Sequence, residues 1–355
     1  MAPVVEQLRH TPGVEARVCV TAQHRQMLDQ VLGLFDIVPD FDLNVMEPDQ
    51  ALAPLTTAIF RGLDPVLEQF HPDWVLVQGD TTTVMAAALL AAYRHIRVGH
   101  IEAGLRTGDK SQPFPEEINR RVAGVLADLH FAPTARARDN LLREGVAPER
   151  IVVTGNPVID ALQAIAARPY DPSTGPLASI PFDRRIILVT AHRRENFGAP
   201  MEQIFTALRR LADRYRDDVA VVYPVHLNPN VRQPAERMLG DVPNITLLDP
   251  LDYLPMVHLL RHCTLVLTDS GGLQEEGPAL GKPVLVLRQV TERPEAIEAG
   301  TARLVGTDAD RIEAEVRRLL DDPAAYAAMA HAVNPFGDGH AAERIVEALL
   351  GSGQW

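Results

Sequence analysis

The stretch Leu265–Leu287, LVLTDSGGLQEEGPALGKPVLVL, decides the fold. An apolar run enters Thr268, Asp269, Ser270 and two glycines. A helix-like segment carrying Glu275 and Glu276 follows, Gly281, Lys282 and Pro283 end it, and a second apolar run closes the unit. Strand, small-residue turn, helix and strand is the pattern of parallel strands joined by a crossover helix. Working outward, similar runs recur at Ala16–Thr21, Trp74–Gln78, Val98–Ile101, Ile151–Thr154, Ile186–Thr190, Val219–Tyr223, Ile245–Leu248 and Arg303–Val305, with helical stretches between them. Two sheets accommodate these strands better than one. The Pro-, Ser- and Gly-rich segment RPYDPSTGPLASIPFD, Arg168–Asp183, is the expected boundary. We therefore expect an α/β chain of two Rossmann-like, doubly wound domains, residues 1–168 and 174–335. A last helix within 338–355 crosses back to the first domain.

The whole chain bounds what such domains can do. Its 355 residues are 46% hydrophobic and 23% charged, an ordinary globular balance for two domains. A net charge of −13 argues against a nucleic-acid or anionic-membrane partner, because either needs a basic face. The longest apolar run, Val84–Tyr93, is about half the ~20 residues that span a bilayer, so no membrane helix is expected. The opening MAPVVEQLRHTPG has neither the basic start nor the apolar core of a signal peptide. It reads as a chain that begins inside a helix, with Pro3 in the first turn and Gly13 beyond the end. Cys19 and Cys263 form no metal-type pair and read as buried thiols of a cytosolic protein.

In doubly wound sheets, ligands bind outside the carboxyl ends of the strands. WVLVQGDTTT, ending at Thr83, and LVLTDSGG, ending at Gly272, are two such ends, one in each half, and together they suggest an interdomain cleft. Ser270, Gly271 and Gly272 offer main-chain N–H groups, a hydroxyl and no bulk, which suits a phosphate or pyrophosphate. Glu275 and Glu276 are better placed for a ribose diol. The bland alternative is that Asp269 or Ser270 caps a helix while the glutamates sit in solvent. Arg293, in TERPEA, either holds a phosphate or base or is solvated. His192, Arg193 and Arg194, in VTAHRREN, would suit a departing phosphate. No cysteine pair or H-E-x-x-H motif accompanies them, so no metal is expected. Asp80 either caps the helix that begins near Thr81 or serves chemistry. Glu102, in GHIEAGLRTGD, either pairs with Arg106 or faces the ligand. Glu116 and Glu117, in QPFPEEINRR, have i,i+4 partners in Arg120 and Arg121. No strand leads into G-x-G-x-x-G, and no phosphate-loop motif occurs, so a nucleotide without redox chemistry fits best and no cofactor is expected.

At this point the sequence resembles the non-hydrolysing UDP-N-acetylglucosamine 2-epimerases. TAQHRQMLDQVL, GDTTT, GHIEAGLRTGD, PFPEE, AHRREN, YPVHLNPNV, TDSGGLQEE and TERPEA look like that family's blocks in that family's order. The resemblance implies a GT-B architecture with the nucleotide held mainly by the second domain, usually in a homodimer. It implies reversible interconversion of UDP-GlcNAc and UDP-ManNAc, feeding envelope polysaccharide synthesis. Carried over residue by residue, Asp80, Glu102 and Glu116 become the catalytic carboxylates and His192 the group near the pyrophosphate. Ser270, Gly271, Gly272, Glu276 and Arg293 become UDP contacts, with Arg193 beside them. A GT-B glycosyltransferase, a hydrolysing epimerase and a non-catalytic UDP-sugar binder are the competing readings.

Two departures from the family pattern carry expectations. The family's chains normally open with a strand, a GTRPE loop and a lysine ahead of the block that starts here at Met1. The first domain is therefore expected to lack its first strand and two cationic contacts. Some members also have an allosteric UDP-GlcNAc site that uses glutamines like Gln23 and Gln26 and a histidine like His226. The arginine near position 49 in those members is Asp49 here.

Overall fold

The computed structural model describes residues 1–22, 25–47 and 50–351. The chain forms two compact units: Met1–Ala161 together with the chain from Phe336 onward, and Leu162–Pro335. In chain order the strands of the first unit are β1 (Cys19–Val20), β2 (Phe41–Asp42), β3 (Trp74–Gln78), β4 (Arg97–Ile101), β5 (Leu129–Ala132) and β6 (Ile151–Val153). Those of the second are β7 (Arg185–Thr190), β8 (Val219–Pro224), β9 (Ile245–Leu248), β10 (Leu265–Thr268), β11 (Val284–Val286) and β12 (Ala302–Leu304).

In the second unit all six strands run parallel in the order β12-β11-β10-β7-β8-β9. The chain moves outward from β7 in one direction, then returns to β10 and moves outward in the other. The switch point lies between β7 and β10, where such sheets place their ligands. Register fixes what meets there. Thr190 and Thr268 are Cα partners at the last rung, their hydroxyls 2.6 Å apart and buried. The segments that follow, from Ala191 and from Asp269, leave the sheet side by side. The strands read as continuous apolar runs because helices cover both faces. One face is packed by Phe205, Leu208 and Leu211 from the helix Ala199–Arg214 against Ile187, Val189 and Tyr223.

In the first unit β3-β4-β5-β6 is a parallel sheet, and among the described residues β1 pairs only with β2. Each of β1 and β3 therefore bonds a strand on one side. The helix Thr82–Tyr93 packs Val84, Ala88 and Ala91 against Val77 and Val98. On the other side Val4, Ile345 and Leu349 cover Ile101 and Phe131, so helices from both ends of the sequence close one core.

Two strands were not legible as such. β5, LHFA, is four residues with a histidine inside, and β2 is a two-residue pairing. The run expected at Ala16–Thr21 pairs only over Cys19–Val20. Among the described residues no helix is long and apolar enough to cross a membrane.

β5 also creates a buried histidine pair. His100 of β4 and His130 of β5 are Cα partners, both buried, and neither Nδ1 has a hydrogen-bond partner. Burial pushes both down to about 4. A histidine held below its unfolded value of ~6.5 is protonated first in the unfolded chain. Its folded form is thus fully competitive above pH ~6.5, and stability falls as pH drops from there toward 4, on the order of 3 kcal/mol for one such site. We predict that His130→Leu loses less thermal stability than the parent between pH 7 and 4.5. Melts at the two pH values give the comparison, and an unchanged pH slope would exclude His130 as a contributor.

Candidate active site

In the first unit, adjacent strands β3 and β4 deliver two carboxylates at their carboxyl ends. After β3 the chain turns through Gly79 at φ 82°, and Asp80 follows. Asp80 is not the helix cap. Thr81 caps the helix, its hydroxyl accepting from Val84 N at 3.4 Å. The Asp80 turn is instead clamped from outside. Asn119 Nδ2 donates to Asp80 O at 2.9 Å, His100 Nε2 lies 2.8 Å from Gly79 O, and Arg120 donates to the Asp80 carboxylate.

Arg120 is thereby withdrawn from the i,i+4 pair with Glu116 that the sequence allowed. It reaches Asp80 and, at 3.4 Å, Glu117. Glu117 is buried and takes Arg121 together with the N–H groups of Thr107 and Gly108. Glu116, in the first turn of the helix Glu116–Leu126, has no ion pair among the described residues. It stands half-buried beside the clamp.

Glu102 comes directly after β4 in the left-handed region, at φ 61°. A glutamate there carries a backbone cost of ~1–3 kcal/mol, a mark of sites where geometry outranks stability. Gln78 Nε2 lies 3.5 Å from Oε2 and Asn156 Nδ2 3.4 Å from Oε1. The alternative pairing with Arg106 does not form, because Arg106 forks onto Glu144 at 2.7 and 2.8 Å. The bend after Glu102 requires Gly104, where a Cβ would meet Ala137 O at 2.2 Å.

In the second unit, Asp269 is the centre of the switch point. It does not cap its own helix, whose N-cap is Gly272. Fully buried, its Oδ2 accepts from His192 N, Arg193 N and Asn196 Nδ2, each at 2.9 Å. His192 is thus fixed by its main chain at the end of β7. Its ring lies with Nδ1 3.5 Å from Asp269 Oδ1 and stacks on His226 at 5.6 Å and 15°. Burial holds the His192 imidazole below the ordinary histidine range; the Asp269 carboxylate opposes this, and His226 and Arg193 add to it. Arg193 leans over the glycine turn, its Nη2 3.9 Å from where a Gly271 Cβ would sit. Arg194 is exposed.

The turn Ser270–Gly272 is anchored from beneath. Gln274 Nε2 donates to Ser270 O at 3.0 Å and Thr291 Oγ1 donates to Gln274 Oε1 at 2.5 Å, tying the turn to the loop before Arg293. The paired glutamates part company. Glu275 is buried and accepts from Arg293 Nε, so it is neither a ribose acceptor nor solvated. Arg293 correspondingly is not a solvated side chain. Glu276 accepts from Tyr253 OH at 3.0 Å, and burial pushes its carboxyl upward while that bond pulls it down.

Comparisons with known proteins give the family. A profile described as UDP-N-acetylglucosamine 2-epimerase matches residues 6–350. The chain is 57% identical to the UDP-N-acetylglucosamine 2-epimerase of Escherichia coli (strain K12), over 98% of this chain and 94% of that one. This chain belongs to the UDP-N-acetylglucosamine 2-epimerase family. Among solved structures of the family, the Neisseria meningitidis enzyme bound to UDP-GlcNAc superposes with a TM-score of 0.90 at 48% identity, over 99% of this chain and 96% of that one. The Methanocaldococcus jannaschii enzyme in complex with UDP-GlcNAc and UDP gives 0.80 at 31% identity, over 99% and 96%. The α/β class with parallel sheets is the one expected from the sequence.

Sequence reasoning missed Arg120 and Asn119 as holders of Asp80, and the clamp role of Asp269. The available signal for the first two was their place in QPFPEEINRR, one helical turn beyond Glu116. His226 belongs to the second unit beside His192. Gln23, the side chain of Gln26 and Asp49 lie outside the described residues. Among those described, no group of three or more His, Cys, Asp or Glu is placed to hold a metal ion.

The Glu275–Arg293 pair gives a direct test of the second unit. Both side chains are largely buried, so Glu275→Gln strands a guanidinium and should cost ~3–5 kcal/mol of unfolding free energy. Ser270→Ala, at a partly exposed turn, should stay within about 0.5 kcal/mol. Urea unfolding followed by circular dichroism separates the two.

Proposed function

We propose that this member of the family interconverts UDP-GlcNAc and UDP-ManNAc reversibly by elimination and re-addition of UDP, with no cofactor. The observation that carries the reading is the carboxylate set of the first unit. Asp80 is clamped by Arg120 and Asn119, Glu102 is held in a strained backbone at the neighbouring strand end, and Glu116 has no ion pair among the described residues. The hydrogen on sugar carbon 2 has no adjacent carbonyl, so inversion there needs oxidation or elimination. One carboxylate takes that proton, its electron pair forms the carbon 1–carbon 2 double bond, and the carbon 1–oxygen bond breaks with its pair leaving on UDP. A carboxylic acid on the opposite face then protonates carbon 2, and a diphosphate oxygen of UDP attacks carbon 1 to give the epimer. Proton donors and acceptors on two faces are what this chemistry demands.

The second unit holds UDP. Main-chain groups at Ser270, Gly271 and Gly272 with Arg193 take the diphosphate, and Glu276 accepts from the ribose diol. Arg293 contributes from its pair with Glu275, and His192 stabilises the departing negative charge. Two free thiols, Cys19 and Cys263, support a reducing cytoplasmic setting. Assembly as a homodimer is supported by Ile118 and Val125, exposed seven residues apart on one face of the helix Glu116–Leu126. The product would serve envelope polysaccharide synthesis.

Replacing Asp80 by Asn, or Glu102 or Glu116 by Gln, should lower turnover by roughly 100-fold with UDP affinity little changed. If Glu116→Gln keeps full turnover, that residue has no part in proton transfer. Deuterium from solvent should appear at carbon 2 of the product in the parent enzyme; its absence, or release of free ManNAc, would overturn the elimination and re-addition route. UDP affinity measured by calorimetry should be the same with and without EDTA. A large loss on chelation would show that a metal completes the diphosphate site.

A further inference from the structure

We propose that Asp269 is a positioning residue for His192, fixing which ring nitrogen is presented to the leaving diphosphate. The inference rests on the reading of His192 as the group beside that diphosphate. Its basis is an asymmetry within one carboxylate. Asp269 Oδ2 is saturated by three donors at 2.9 Å, whereas Oδ1 is buried and makes no hydrogen bond. A buried anionic oxygen without a donor is costly, so a donor aimed at it is held strongly. His192 Nδ1 lies 3.5 Å from it.

The surroundings fix the imidazole in every other respect. The main-chain N–H of His192 donates to Asp269 Oδ2, and the carbonyl of Ala191, one residue earlier, accepts from Tyr223 OH at 2.6 Å. One ring face lies on His226, whose own Nδ1 accepts from Asn228 N at 3.0 Å, which puts the proton of neutral His226 on Nε2. The titratable and charged groups facing His192 are Asp269, His226 and Arg193. A small rotation about χ2 brings Nδ1–H onto Oδ1. The neutral ring then carries its proton on Nδ1 and leaves Nε2 for the substrate side. Charge arriving with the diphosphate draws a second proton onto Nε2, and the Asp269 carboxylate stabilises the imidazolium that results.

An asparagine at 269 distinguishes this from a purely structural clamp. Its carbonyl oxygen can accept the same three donors, while its NH2 must then face His192 Nδ1. Nδ1 becomes an acceptor, and the neutral proton moves to Nε2. The fold survives and the tautomer reverses. Long-range proton–nitrogen NMR at pH 8 reads the tautomer directly in the free protein, with the His192 signals identified among the 12 histidines by their loss in His192→Asn. We expect Nδ1–H in the parent and Nε2–H in Asp269→Asn. Turnover should fall by roughly 100-fold in the latter with UDP affinity nearly unchanged. The double variant should be no slower than His192→Asn, because residues that act as a unit are not additive. Asn196→Ala, which removes one donor from Oδ2, should lower the melting temperature without altering the tautomer.

An Nε2–H parent, an unchanged tautomer in Asp269→Asn, or losses that multiply in the double variant would each overturn the proposal. If Asp269→Asn does not fold, the parent spectrum still decides it. Full turnover in His192→Asn would instead remove the role assigned to His192, a result separate from the tautomer measurement.

Discussion

A single buried carboxylate organises the second unit. In a parallel sheet the ladder ends with the last paired rung, and nothing in the ladder fixes the chain beyond it. Asp269, one residue past β10, supplies that constraint by gathering two N–H groups and one side-chain amide from the chain that leaves β7. Arg193 is thereby aimed over the glycine turn, and the His192 ring is set against Asp269 and His226. The buried Thr190–Thr268 hydroxyl pair one rung earlier keeps the two exits in register.

The first unit reaches the same end with the charges exchanged. There a carboxylate is the group to be aimed and a cation does the holding. Arg120 grips the Asp80 side chain, while Asn119 and His100 hold the peptide groups on either side of it. Arg120 and Asn119 are neighbours on the helix Glu116–Leu126, which also carries Glu116. A shift of that helix would therefore move two carboxylates together, keeping their relation to each other better than either would keep on its own.

The fold class was legible because parallel strands covered by helices on both faces must read as unbroken apolar runs, and most of these did. β5 escaped because a histidine interrupts it, and burial beside His100 across the ladder holds that histidine below its ordinary range. At the site, residue types and strand ends were readable, but partnerships were not. Local spacing offered Arg120 to Glu116 and Arg106 to Glu102. The structure gives Arg120 to Asp80, 40 residues away in sequence, and Arg106 to Glu144, 38 away. Local periodicity carries no information about contacts at that range. The glutamates 275 and 276 show the same limit, since a rotation of one residue about a short helix sends one into an ion pair and the other to a tyrosine.

Glu102 illustrates how such a site resists improvement of the fold. At φ 61° its backbone suits glycine better than any residue with a side chain, so Glu102→Gly would relieve strain of ~1–3 kcal/mol and yield a sturdier first unit. That sturdier protein would have no carboxylate at the end of β4. Backbone preference and the supply of a carboxylate at this strand end therefore pull the position in opposite directions.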